Sequence, residues 1–69
     1  DLRAWHLLGV QHLVAGDSEQ ALEAFLELLR RDRNFEDGLP RKALIDAFRV
    51  VEDEDLVSRY RRKMASLLF

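Results

Sequence analysis

The sequence predicts an all-α domain of about four antiparallel helices, and three observations support this class. Apolar residues recur at spacings of three and four in four successive stretches, as on one face of a helix. Residues that typically begin or end helices separate these stretches, and no stretch alternates apolar and polar residues as a half-buried strand does. The 69 residues, 48% hydrophobic and 35% charged, are enough for one small folded domain.

The first predicted helix extends from about Arg3 to Ala15 and ends at Gly16. It is apolar on nearly all sides, whereas most helices of small domains have one apolar face. One side carries Trp5, Leu8 and Gly9, and another carries Val10, Leu13 and Val14. A helix with two apolar faces needs two packing neighbours.

The second predicted helix extends from Ser18 to Arg31. Asp17 precedes it as an N-cap, and Gln20 stands three residues later, as in a capping box. Its charges lie on one side and are expected to face solvent. The other side is expected to be buried and consists of Ala21, Leu22, Ala24, Phe25, Leu26, Leu28 and Leu29.

A polar turn, DRNFEDG, precedes a third helix that begins between Asp37 and Pro40 and extends to Val51. Its wide apolar arc predicts the most buried element, packed on two sides. A fourth helix follows the acidic turn EDED and extends from about Glu54 to Leu68. Its apolar arc is expected to pack on helix three and consists of Leu56, Val57, Tyr60, Met64, Leu67 and Leu68.

Six residues in the first half resemble the tetratricopeptide repeat signature W-x2-L-G-x2-Y…A-x3-F…P; they are Trp5, Leu8, Gly9, His12, Ala21 and Phe25. His12 replaces the usual tyrosine, and Arg33 stands where the closing proline normally falls. In such repeats two helices cross closely at small residues, which explains a glycine inside the first helix. The resemblance predicts one repeat over residues 3–35, followed by a degenerate or capping helix pair over 37–69.

The repeat resemblance also implies a binding groove along the inner side of the first helix. The corresponding residues are Arg3, His6, Val10, Leu13 and Val14. This arc lacks the lysines and asparagines that clamp a terminal carboxylate, so it is expected to accept an apolar helix or extended segment. That segment would belong to a missing N-terminal domain or to a second copy in a homo-oligomer. The alternative is a core face that the later helices of the chain cover.

The second half resembles the C-terminal end of the bacterial thioredoxin-like co-chaperones, the co-chaperedoxins. The stretches LLRRDRNFEDGLPRKALIDAF and LVSRYRRKMASLLF carry this resemblance. It implies an N-terminal thioredoxin-like domain, a bacterial cytoplasmic location, and a role in protein folding and cell redox homeostasis. Chaperonins and unfolded clients are the implied partners. The chain begins at Asp1 without a methionine, so we expect it to be part of a longer protein.

A second candidate contact lies at the C-terminal helix, where Arg61, Arg62 and Phe69 combine two cations with an aromatic. The alternative is that Phe69 folds back over the helix end or frays. The nearby run RYRRK suggests nucleic acid, but its cations spread over about 200° of the helix, so no nucleic-acid partner is predicted.

The residue types give no indication of catalysis. The chain has no cysteine, and His6 and His12 lie about 240° apart on the helix, so no metal or cofactor site is predicted. No apolar run approaches the length of a membrane span, and no membrane partner is predicted. The sequence therefore predicts a protein-interaction module rather than an enzyme. The alternative function is a capping or dimerisation element of a longer helical array.

Overall fold

The computed structural model describes all residues, 1–69, and contains four helices and no strand. These are α1 (Leu2–Ala15), α2 (Ser18–Arg31), α3 (Leu39–Val50) and α4 (Glu54–Leu68). The predicted all-α class with four helices is therefore confirmed. None of the four helices combines the length and the apolar character that a membrane-spanning helix requires.

Helix α1 is capped at both ends by local hydrogen bonds. The Asp1 carboxylate accepts a hydrogen bond of 3.1 Å from the backbone N–H of Arg3. At the other end Gly16 adopts a left-handed conformation with φ of 86°, and its N–H donates to the carbonyl of Leu13. The N–H of Asp17 donates to the carbonyl of His12 at 2.8 Å. Glycine suits this position because it has no Cβ to clash in the left-handed region.

The predicted capping box at the start of α2 is wrong. Asp17 holds the N-cap position, but its side chain makes no hydrogen bond to the first turn of the helix. Its Oδ2 atom instead lies 3.5 Å from Nδ1 of His12, at the end of α1. The carboxylate thus links the two helices across their turn.

The α2–α3 connection reverses through three successive residues with positive φ: Glu36 at 49°, Asp37 at 59° and Gly38 at 84°. Pro40 then occupies the first turn of α3, as predicted. The start of α4 is capped by Asp53, whose Oδ1 accepts a hydrogen bond from the N–H of Leu56 at 3.1 Å.

Helix α2 is the centre of the fold, because each of the other helices packs most extensively against it. All seven of its predicted core residues are buried. The expectation that α3 is the most buried helix is wrong: five of its residues are buried, and Val50 remains 62% exposed. The molecule is a flat slab of 27 × 26 × 14 Å, so α3 has solvent on its outer side.

Helix α4 also departs from its predicted neighbour, since it approaches α2 more closely than α3. Tyr60 anchors this contact: it is buried, and its hydroxyl donates a hydrogen bond of 2.5 Å to Oε2 of Glu23 on α2. Burial, together with the Glu23 carboxylate, raises the pKa of Tyr60 to about 12. The tyrosine therefore stays protonated and keeps its donor over the whole neutral range.

Candidate interaction surfaces

The crossing of α1 and α2 is built on Gly9 and Phe25, as the repeat signature predicts. A Cβ atom added to Gly9 would lie 2.6 Å from Cδ1 and 2.8 Å from Cζ of the Phe25 ring. The ring of His6 lies beside the same phenyl group, with 5.8 Å between the centroids. Gly9 is needed because the Phe25 ring fills the space of any larger side chain.

The other signature residues lie at the edge of this crossing. Ala21 is fully buried, and Trp5 and His12 are half-buried. Leu8, which the signature places in the contact, is 39% exposed. The signature residues therefore form a packed centre with a solvent-exposed edge, which we call the rim.

A shallow cavity of about 250 Å³ lies along this rim and is lined by Trp5, Leu8, His12, Gln20, Glu23, Ala24 and Glu27. Its two carboxylates are already paired, because Arg30 reaches both of them and the Nε of Arg31 lies 3.1 Å from Glu27. The Arg31 guanidinium also stacks on Trp5, 5.1 Å from the ring centroid. The charged side chains along this cavity are thus paired with one another.

A row of exposed apolar side chains lies on the side of α1 that points away from α2. We call it the outer face and define it by Arg3, Leu7, Val10 and Val14, which follow one another at spacings of four, three and four. Leu7 is 56% exposed, Val10 is 36% exposed and Val14 is 84% exposed. Arg3 is the one charged member, and none of the ion pairs in the structure includes it.

The predicted groove residues divide between this face and the interior. Arg3, Val10 and Val14 lie on the outer face, whereas His6 is half-buried against Phe25. Leu13 packs against the main core, so the alternative of a core face holds for this residue. Leu7 was missed as a groove residue, although its spacing of three from Val10 could have identified it.

The three residues proposed at the C-terminal helix have different surroundings. The Arg61 guanidinium stacks over Phe48 on α3, 4.9 Å from the ring centroid. Arg62 lines an open depression of the surface with Arg59, Lys63 and Ser66. Phe69 lines a different cavity, of about 450 Å³, together with Arg33, Arg41, Met64, Ala65 and Leu68. Its side chain is fully exposed and does not cover the helix end.

Arg33 has a structural role that the sequence did not indicate. Its Nη2 donates a hydrogen bond of 2.7 Å to the carbonyl of Leu67, near the end of α4. The residue at the position of the closing proline therefore ties the α2–α3 connection to the last turn of the chain's final helix.

The structure brings no group of three or more histidine, aspartate or glutamate side chains into a metal-binding arrangement. His6 and His12 lie in separate surroundings, the first beside Phe25 and the second beside Asp17.

Comparison with known families gives a match to the tetratricopeptide repeat over residues 1–69, the whole chain. Repeats of this family generally mediate protein–protein interactions. No curated protein and no solved structure matches the chain.

Proposed function

This chain belongs to the tetratricopeptide repeat family, and we propose that it is a protein-interaction module that binds through the outer face of α1. The observation that carries this proposal is the row of Leu7, Val10 and Val14, exposed on a helix whose main neighbour is α2 alone. Contiguous apolar residues at the surface mark sites of protein contact. Binding, rather than catalysis, is the activity that such a surface serves.

The outer sides of the other helices differ in chemistry from that of α1. Exposed positions of α3 include Arg41, Lys42, Asp46 and Arg49, and those of α4 include Arg59, Arg62 and Lys63. Charged surfaces of this kind keep their water, whereas the outer face of α1 gains free energy when it is covered. An amphipathic helix that presents apolar residues at matching spacing is the simplest partner.

At a finer level, we propose that the module is the C-terminal part of a thioredoxin-fold co-chaperone or holdase. The support is the resemblance of the second half of the chain to the co-chaperedoxins. This proposal includes a bacterial cytoplasmic setting, a role in folding and redox homeostasis, and a chaperonin or unfolded chains as partners. Arg61, Arg62 and Phe69 would then serve as contact points of the C-terminal helix.

A second candidate function is a capping or dimerisation element of a longer helical array. The same observation favours it, because repeat units bury a continuous core by stacking on their neighbours. On this proposal the outer face of α1 receives another helical element and contributes stability instead of recruiting a client.

The first experiment tests the outer face with a double variant, Val10→Asp with Val14→Asp, and Val50→Asp as the matched control. Val50 is also an exposed helical valine, but it lies on α3. We expect both proteins to fold, by circular dichroism, and only the double variant to lose suppression of aggregation of a purified, chemically unfolded client. Equal activity of the two variants would overturn the proposed binding face.

The second experiment tests the co-chaperone proposal with purified chaperonin and the intact protein. Deletion of Phe69, and the pair Arg61→Glu with Arg62→Glu, should each weaken chaperonin binding without a loss of helix content. Arg49→Glu, an exposed arginine of α3 that is paired only with Asp46, is the control. Unchanged binding in both variants would remove α4 from the proposal.

A further inference from the structure

We propose that the partner on the outer face of α1 is a second copy of this chain, with the two α1 helices packed antiparallel about a two-fold axis. This inference rests on the proposed function, since it names the occupant of the same face. It predicts weak, reversible dimers.

The spacing of the outer face suits a pairing of like helices. Positions 3, 7, 10 and 14 repeat at four, three and four residues, which is the spacing of a seam between two helices. In an antiparallel pair centred on the middle of α1, Leu7 of each copy meets Val10 of the other. The two apolar contacts are then equivalent, as a two-fold interface requires.

Charge selects the antiparallel arrangement. Arg3 is the one charge on the outer face and has no acidic partner within its own chain. Antiparallel packing places it at the C-terminal end of the other α1, which carries the negative end of the helix dipole. The carbonyls of Val14 and Ala15 accept no backbone hydrogen bond there, so they are free to accept from the guanidinium. A parallel pair would instead bring two Arg3 side chains together.

The size of the face sets the strength of the dimer. A helix of 14 residues is about 21 Å long, and a stripe roughly 10 Å wide along it covers about 200 Å². Stable complexes bury about 800 Å² on each partner, so this contact alone gives weak association. A net charge of −2 adds little repulsion between copies, and dimers should form at high protein concentration.

Sedimentation equilibrium over a concentration series tests the proposal. We expect the average mass of the wild-type chain to rise from 8.1 kDa toward twice that value. Val14→Asp should weaken association at least tenfold, whereas Val50→Asp should leave it unchanged. Wild-type protein that stays at 8.1 kDa throughout, or equal effects of the two variants, would overturn the inference.

Arg3→Glu tests the orientation of the two helices. The variant places a carboxylate near the N-terminus of its own helix, which favours the folded monomer, but sets it against the negative end of the partner helix. We expect about tenfold weaker association. Unchanged association would exclude the antiparallel arrangement.

The outcomes separate this inference from the proposed function. If the wild-type chain stays monomeric and binds a client, and Val14→Asp removes that binding, the binding face is supported and the proposal of a second copy is overturned. If the wild-type chain forms dimers that Val14→Asp removes, and it binds no client under any condition, the proposal of a second copy is supported and the client-binding role is overturned.

Discussion

Helices α1 and α2 have equal length and lie side by side, yet their burial is opposite. Helix α2 buries seven of its residues, whereas α1 buries Gly9 alone. The difference does not follow from composition, because α1 is the more apolar of the two. It follows from position: α2 packs against three helices, and α1 packs mainly against α2.

An apolar sequence therefore predicts where a surface can be buried, but not whether this chain buries it. Helix α2 matches its apolar side to neighbours on the same chain. Helix α1 carries an additional apolar side for which the chain supplies no neighbour. Such a surplus is the physical basis of the proposed interface.

The largest effect expected from this comparison is a difference between two leucine truncations. Leu26→Ala removes a fully buried side chain of α2 and should lower the free energy of unfolding by about 2–5 kcal/mol. Leu7→Ala removes a leucine of the outer face and should change it by less than about 0.5 kcal/mol. Urea denaturation of dilute protein measures both. Similar losses would mean that α1 is covered in solution.

Tyr60→Phe tests how firmly α2 holds α4. The variant loses the hydrogen bond to Glu23 and should lower stability by about 1.5 kcal/mol at neutral pH, as for a hydrogen bond to a charged group. The tyrosinate absorbance of the folded chain, whose sole tyrosine this is, should titrate near pH 12. A midpoint near 10 would contradict the burial of the hydroxyl.

The same tyrosine gives a pH dependence of stability with a defined sign. Between pH 10 and 12 the unfolded chain loses the Tyr60 proton while the folded chain keeps it, so the unfolded state binds fewer protons. The stability that this group contributes is therefore complete below pH 10 and is lost as the pH rises toward 12. Urea midpoints should fall more steeply over this range in the wild type than in Tyr60→Phe.

Gly9→Ala should give a smaller loss, because two effects oppose each other. The added methyl group overlaps the Phe25 ring at a cost of about 2 kcal/mol, and alanine gains about 1 kcal/mol in helix propensity. The net loss should be about 1 kcal/mol. In a Phe25→Leu background, the same change should become stabilising; a double-mutant cycle in urea measures this, and additivity would contradict the contact.

The smallest expected effect concerns Arg33. Arg33→Ala removes one exposed hydrogen bond to the Leu67 carbonyl and should lower global stability by about 0.5 kcal/mol. The effect should be local, with faster amide hydrogen exchange confined to the last turn of α4. Uniform acceleration across the chain would show that Arg33 supports the whole fold.

The helices could be predicted from the sequence because their signals are local. Gly16, Pro40 and Asp53 act on the residues next to them. The helical periodicity of apolar and charged positions in α2 identifies all seven of its buried residues. Capping was less predictable. Asp17 has two possible partners, the first turn of α2 and His12, and the sequence does not rank them.

The packing of the second half could not be predicted, since it depends on the direction that one turn gives the chain. Three successive positive φ angles at Glu36, Asp37 and Gly38 orient α3, and α4 then meets α2 rather than α3. Part of the candidate site could not be predicted for the same reason. Periodicity placed Leu13 beside Val10 and Val14, but only the packing shows that Leu13 belongs to the core.

The distribution of the main core has a consequence for how the domain opens. Its 11 buried residues all come from residues 22–60, and α1 meets this core at its border, through Leu13 and through the contact of Gly9 and His6 with Phe25. We expect α1 to open before the remaining helices, which would give the domain two levels of opening instead of one. Amides of α1 would exchange through the lower level, and a partner that covers α1 would slow their exchange without changing that of α2. Binding of a partner would then be observed as more cooperative unfolding, because α1 would open together with the other helices.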